Sequence, residues 1–160
     1  MAVIIFLPFF AAALTFFIYP ILKEKTAHFA AFIALICAFL ILNLIGTTGS
    51  ISIPLISSLD IHLRFYVDGL SILVGLLASG MGLLTFIYSF GYMKTKTPSP
   101  TYYASLLVFM GSMLGIVFSA DLIVLFVFWE LTSLSSYLLI GYFNHESTSR
   151  SAAKKALVIT

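Results

Sequence analysis

The 160-residue chain is 61% hydrophobic and only 9% charged, with a net charge of +2 and a mean hydropathy of +1.14. That balance is far too apolar for a soluble globular domain and predicts an all-α polytopic membrane protein, residues 1–160 forming a single membrane domain. The few basic residues sit in short clusters between apolar runs, which is orientation information and implies no nucleic-acid partner. Cys37, the only cysteine, lies inside an apolar run. Disulfides, Cys-rich zinc sites and iron–sulfur clusters ligated by this chain alone are therefore excluded, no cofactor is expected, and the thiol reads as a packing residue.

A bilayer span takes about 20 apolar residues. The predicted spans are residues 2–22, 27–45, 70–93, 103–120 and 122–143, and a sixth apolar run opens at Ala152, so the expectation is five transmembrane helices plus the start of a sixth. The first run contains Ala11, Ala12 and Ala13 and could be mistaken for a signal peptide. It has no basic region before it and stays apolar well past those alanines, which favours a retained helix. Pro20 fits a kink at the end of that helix, and Pro98 with Pro100 marks the loop after the third.

Between the second and third spans the period changes. Leu59, Ile61, Leu63, Phe65 and Val67 alternate with Asp60, His62, Arg64 and Tyr66, a period-two strand pattern. Ile51, Ile53 and Leu55 alternate less cleanly before them, Ser57-Ser58 can make the turn, and Pro54 belongs on an edge. The prediction is a short β-hairpin over residues 51–67, on the outer face, acting as a structural clip in preference to a binding site.

The charges alternate with the loops. Lys23 and Lys25 follow the first span, Lys94 and Lys96 the third, and Arg150, Lys154 and Lys155 the fifth, whereas the intervening loops hold only Arg64. By the positive-inside rule, segments 23–28, 94–101 and 144–155 are cytoplasmic and the N-terminus is outside the cell membrane.

Glu130 stands in the middle of the uncharged apolar run 122–143. A carboxylate at that depth costs several kcal/mol unless it is protonated, paired or wet, so the reading is a buried group kept for ion movement, against the plainer one of a neutral Glu in a structural interhelix hydrogen bond. On a helix it shares a face with Phe126, Ser133, Tyr137 and Gly141, and the hydroxyls of Ser133 and Tyr137 are placed to orient water or a partner group around it. Lys154 reads as an interfacial anchor, while Lys155, one position deeper, is a candidate for proton entry. Asp121 opens the fifth span and Asp68 precedes the third; capping is the ordinary role for both. His28, His62 and His145 fall in different loops on both sides of the membrane, so a shared metal site is not expected. Gly111-x-x-x-Gly115 with Ser119, and more weakly Gly75 with Ser79, are small-residue stripes that allow close helix approach. Gly75, Gly80 and Gly82 do not have phosphate-loop spacing, so nucleotide chemistry is unsupported.

Four segments carry a resemblance: Tyr-Val-Asp-Gly-Leu-Ser at 66–71, Tyr-Ser-Phe-Gly-Tyr-Met at 88–93, Ser-Ala-Asp-Leu-Ile-Val-Leu-Phe-Val-Phe-Trp-Glu at 119–130 and Ser-Ser-Tyr-Leu-Leu-Ile-Gly at 135–141. Over residues 64–160 the chain resembles the antiporter-like subunits of respiratory complex I and of Mrp-type cation/proton antiporters, with Trp-Glu-Leu-Thr-Ser-Leu-Ser-Ser and the closing Lys-Lys-Ala-Leu-Val-Ile-Thr most similar to the large A subunit of an Mrp complex. The resemblance implies that Glu130 pairs with a lysine on a later helix, that Lys155 belongs to the ion path, and that Asp121 falls on the family pattern. The chain stops before the broken helices and that pairing lysine, as a fragment or a naturally split N-terminal subunit would. It implies part of a secondary transporter, not an enzyme, exchanging Na⁺ for H⁺ in the bilayer alongside other membrane subunits of a hetero-oligomeric complex. The alternatives are a proton-pumping subunit of a complex I-type oxidoreductase and a structural or assembly subunit.

Overall fold

The apolar runs close as helices, because a backbone in hydrocarbon must satisfy its own N–H and C=O groups. A computed structural model of the chain describes residues 1–22, 25–56, 61–93, 99–143 and 147–159. In chain order it runs α1 (Ala2–Leu22), α2 (Thr26–Leu42), β1 (Gly49–Ile56), β2 (Ile61–Val67), α3 (Gly69–Tyr92), α4 (Pro100–Phe118), α5 (Leu122–Ile140), a 3₁₀ turn (Gly141–Phe143) and α6 (Ser147–Ile159). Four of these helices, α1, α3, α4 and α5, are long and apolar enough to cross a membrane.

The five-span expectation needs correction. The second run gives a helix of 17 residues, because the chain turns at 43–46, where Gly46 takes φ +81°. At about 1.5 Å per residue that helix is about 26 Å long, at the lower limit of the roughly 17–25 residues that cross a bilayer, so four helices and not five have a full span's length. The sixth element is a helix from Ser147, five residues before the apolar run; its first turns are polar and hydropathy does not register them. Segment 147–155, expected as loop, is therefore helical. Pro100 is not a loop residue either: it takes the first position of α4, where its missing N–H costs nothing, with the Ser99 hydroxyl accepting from Thr101 N–H at 3.3 Å. Pro20 lies inside α1, which continues to Leu22.

Pro8, also inside α1, has no N–H to give to the carbonyl of Ile4. The buried Cys37 thiol of α2 reaches that oxygen at 3.9 Å. The one cysteine thus packs against α1 and offers a weak donor where the helix ladder lacks one.

Helix α4 is the centre of the bundle. Of its span 56% is buried, against 22% for α5, and it packs on α1, α3 and α5 while α2 packs on α3. The glycine stripe explains how closely. A methyl group on Gly111 would come within 2.9 Å of the Phe9 ring of α1, and one on Gly115 would overlap the Phe128 ring of α5, 2.6 Å from its Cε1 and nearer still to Cγ and Cδ1. Each glycine is the seat of an aromatic side chain from a neighbouring helix.

The hairpin forms as predicted, β1 pairing antiparallel with β2 from Gly49 opposite Val67 to Ile56 opposite Ile61, with an irregularity after Pro54. The Ser57-Ser58 turn lies outside the described residues. Alternation places Phe65 and Val67 in the core and leaves Arg64 and Tyr66 exposed. The other edge of β2 is also engaged: Phe65 bridges Ser119, and the Arg64 carbonyl accepts from Ala120 N–H at 2.9 Å. Pro54 therefore sits on β1, which has no second strand partner among the described residues, at the point where the register slips. Phe65 meets Phe6 of α1 edge-on at 6.4 Å and Phe128 of α5 at 6.2 Å, and Phe128 meets Phe9 at 6.1 Å. This aromatic chain pins the hairpin across the ends of α1 and α5, in keeping with a structural clip.

Candidate functional site

Helix α5 begins where Asp121 accepts a hydrogen bond from Ile123 N–H at 2.8 Å, the N-terminal cap expected of it. Asp68 does the same for α3 through a reciprocal box, its carboxylate accepting from Ser71 N–H at 2.7 Å while its own N–H donates to the Ser71 hydroxyl at 2.8 Å. Those bonds from Ser71 hold the Asp68 carboxyl below the usual carboxylate range.

Glu130 is eight residues into α5 and ten from its end, about 12 and 15 Å along the axis, so it sits near the middle of the span. Its expected burial is not provided by this chain. Helix α5 turns Val124, Phe128 and Ser135 inward, and Glu130 projects from the opposite side, exposed, between exposed Phe126, Val127 and Leu134, with buried Ser133 about 60° around the helix from it. The reason is angular: Phe128 is spent on the Gly115 seat, and two residues further at about 100° each carries Glu130 to the far face.

There it opens into a shallow groove of about 420 Å³ between α5 and α6, whose walls are Phe126, Val127, Leu131 and Leu134 with Leu157 of α6. Glu130 and Ser133 are its polar side chains. The Ser133 hydroxyl donates to the Trp129 carbonyl at 3.4 Å, and Thr132 to the same oxygen at 2.6 Å, so these hydroxyls serve their own helix. Tyr137, two turns along, is half-buried. Among the described residues no ion pair reaches Glu130, and no three His, Cys, Asp or Glu residues gather as metal ligands.

The rotation of α6 separates its two lysines. Ala153 is buried against Gly141, where an added Cβ would lie 3.4 Å from Ala153 Cβ, and Leu157 lines the groove. With these on the α5 side, Lys154 lies about 60° around the helix from Leu157 and Lys155 about 160°. Both are exposed, and Lys155 faces away from Glu130. The structure thus brings Glu130, Ser133 and Leu157 together and leaves Asp121 at the cap and Lys155 on another side. Sequence reasoning missed Leu157 and the inward anchor Ala153; the Ala153–Leu157 spacing of four is the signal that marks this face.

The opposite end of the bundle from the hairpin collects aromatic hydroxyls. Tyr88 and Tyr92 at the end of α3 stack at 5.6 Å, and Tyr102 of α4 lies 5.2 Å from both Tyr103 and Tyr142. With Tyr19 and Tyr137 they make seven of the eight tyrosines, the amphipathic rim expected of a membrane–water interface.

Residues 53–103 match the family model described as NADH-ubiquinone oxidoreductase (complex I), chain 5 N-terminus, and residues 119–160 match NADH:quinone oxidoreductase/Mrp antiporter, TM. The A subunit of the Na(+)/H(+) antiporter of Alkalihalophilus pseudofirmus is 42% identical over 96% of this chain, and the A/B subunit of the probable K(+)/H(+) antiporter of Rhizobium meliloti is 36% identical over all of it. The chain spans 20% and 16% of the lengths of those relatives. Among solved structures, the Mrp complex from Dietzia sp. contains a chain that superposes with a TM-score of 0.89 at 25% identity over 99% of this one and 17% of its own length. The archaeal membrane-bound sulfane sulfur reductase shares the fold, with a TM-score of 0.82 at 18% identity over 99% of this chain and 24% of its own.

Proposed function

From the premise that the chain belongs to the family of antiporter-like membrane subunits, similar to the front part of Mrp-type A subunits and related to those of complex I, we propose that it is a membrane component of a multisubunit monovalent cation/proton antiporter, with Na⁺ as the exchanged cation. Glu130 is its ion-coupling carboxylate. The observation that carries this is the position of Glu130 at mid-span in an apolar groove where the described residues of this chain supply no counter-charge. A carboxylate left so in hydrocarbon costs several kcal/mol, which a cation-bearing element or water must offset. Displacing that cation changes the field at Glu130, so ion movement there is coupled to charge displacement in the element that covers the groove.

A later helix of the same protein or another membrane subunit of the complex supplies that element. Asp121 anchors the start of the helix, Ser133 and Tyr137 flank the carboxylate, and Lys155, turned from the groove, takes part from the next compartment of the path. The N-terminus is placed outside and the tyrosine rim with Lys25 at the cytoplasmic face. A second reading, a proton-pumping subunit of a redox complex, is favoured by the complex I description of the family over residues 53–103. Co-purification of flavin or iron–sulfur partners distinguishes the two.

The test is Glu130→Gln in the assembled complex, measured as cation-dependent proton movement in everted vesicles with Na⁺ and with K⁺. The amide is nearly isosteric, so normal protein levels with loss of exchange are expected, and Glu130→Asp retains a fraction. Full exchange by Glu130→Gln at normal levels would refute the assignment and leave a structural role. Exchange supported by K⁺ and not Na⁺ would refute the choice of cation.

A further inference from the structure

A second groove lies between α3 and α4, with Leu139 of α5 also in its lining. It has a volume of about 480 Å³ and runs from Val74 to Phe86 on α3 and from Leu106 to Val117 on α4, about 18 and 16 Å along the two helices. Its one hydroxyl, that of Thr85, donates to the Met81 carbonyl at 2.8 Å, so the groove offers nothing to a polar ligand. Met81, Met110 and Met113 line it, and thioether side chains adapt to a flexible apolar occupant.

We propose that this groove holds one acyl chain of an anionic phospholipid. The length is the first reason: about 16–18 Å is close to the roughly 15 Å that each leaflet contributes to a 30 Å hydrocarbon core, whereas a transmembrane partner helix would follow the helices for their whole span. The end is the second. The α3 stripe continues from Thr85 to Tyr88 and Tyr92, and the α4 stripe from Leu106 back to Tyr102, which puts phenols at headgroup level one turn beyond the groove. The charge is the third: Lys25 stands exposed at the same end, and its ammonium complements a phosphate that keeps its negative charge.

The test uses the assembled complex in vesicles containing a trace of phosphatidylglycerol, or of phosphatidylcholine, bearing a photoactivatable diazirine midway along one acyl chain. Adducts are mapped by mass spectrometry after irradiation. Adducts concentrate on Leu77, Met81 and Met113 above the most heavily labelled exposed residue outside the groove, and phosphatidylglycerol labels them about fivefold more than phosphatidylcholine, the preference of roughly one interfacial lysine. Leu77→Trp with Met113→Trp fills the groove from exposed positions and brings labelling down to the outside level while the complex still assembles. Labelling no denser than elsewhere, or labelling that is unchanged when the two tryptophans fill the groove, overturns the proposal. Equal labelling by the two lipids overturns its headgroup.

Discussion

Gly115→Ala should be the most damaging single methyl addition in the described bundle. The new Cβ would overlap the Phe128 ring, 2.6 Å from Cε1 and closer still to Cγ and Cδ1. Cγ lies on the axis about which the ring turns, so a ring flip does not clear it, and the ring is held between Phe9 at 6.1 Å and Phe65 at 6.2 Å. Phe9 in turn rests on Gly111. Relief requires α4 and α5 to part, which opens the packing that associates helices in a membrane, and overpacking of this kind costs about 1–3 kcal/mol. Gly80 is the control, since nothing lies within 4 Å of its added Cβ. There alanine should be neutral or stabilising by up to about 1 kcal/mol, the helix-propensity gain over glycine. The assay is thermal unfolding of the purified complex in detergent across a double-mutant cycle with Phe128→Ala. Deleting the ring makes room for the methyl, so the cost of Gly115→Ala should vanish in that background, an interaction of about 1–3 kcal/mol. Equal melting of Gly115→Ala and Gly80→Ala, or an additive cycle, would refute the packing argument.

Further outcomes follow from the helix caps and the topology. Asp121→Ser keeps a capping oxygen and should leave both stability and exchange intact, whereas Asp121→Ala should cost about 1 kcal/mol in melting; loss of exchange with serine would place the carboxylate itself in the ion path. The Asp68 carboxyl is held low in the folded chain, so its contribution is present above its ordinary value near 3.8 and is lost as pH falls through the folded value. Melting of the assembled complex between about pH 5 and pH 3 should therefore fall less steeply for Asp68→Asn than for the unmodified protein, and an identical slope would deny Asp68 that role. Cysteine at exposed Lys25 should react with an impermeant maleimide from the cytoplasm and cysteine at exposed Ser52 from outside; Thr26, though adjacent, is fully buried and should not react. Labelling of both exposed sites from one side would overturn the orientation.

Hydropathy is a local property, and where a run is uniformly apolar its limits were legible: α1 begins and ends at the predicted residues 2 and 22, and α3 is displaced by one. Period-two alternation is equally local, which is why the hairpin and the inward set of Phe65 and Val67 were readable. The caps at Asp68 and Asp121 depend only on the two or three residues that follow, and they too were readable. Polar helix starts were not, because at Pro100 and Ser147 helicity precedes apolarity. Glu130 could be singled out by its charge within a run of uncharged neighbours, yet which way it points depends on Phe128 occupying the seat at Gly115, a contact between residues thirteen apart on two helices. The face of Lys155 depends in the same way on Ala153 meeting Gly141. Composition and spacing decided what the elements are and which side chains are costly in a membrane; ring-on-glycine packing between helices decided where those side chains face, because the rotation of a nearly uniformly apolar helix is set by its neighbours and not by its own sequence.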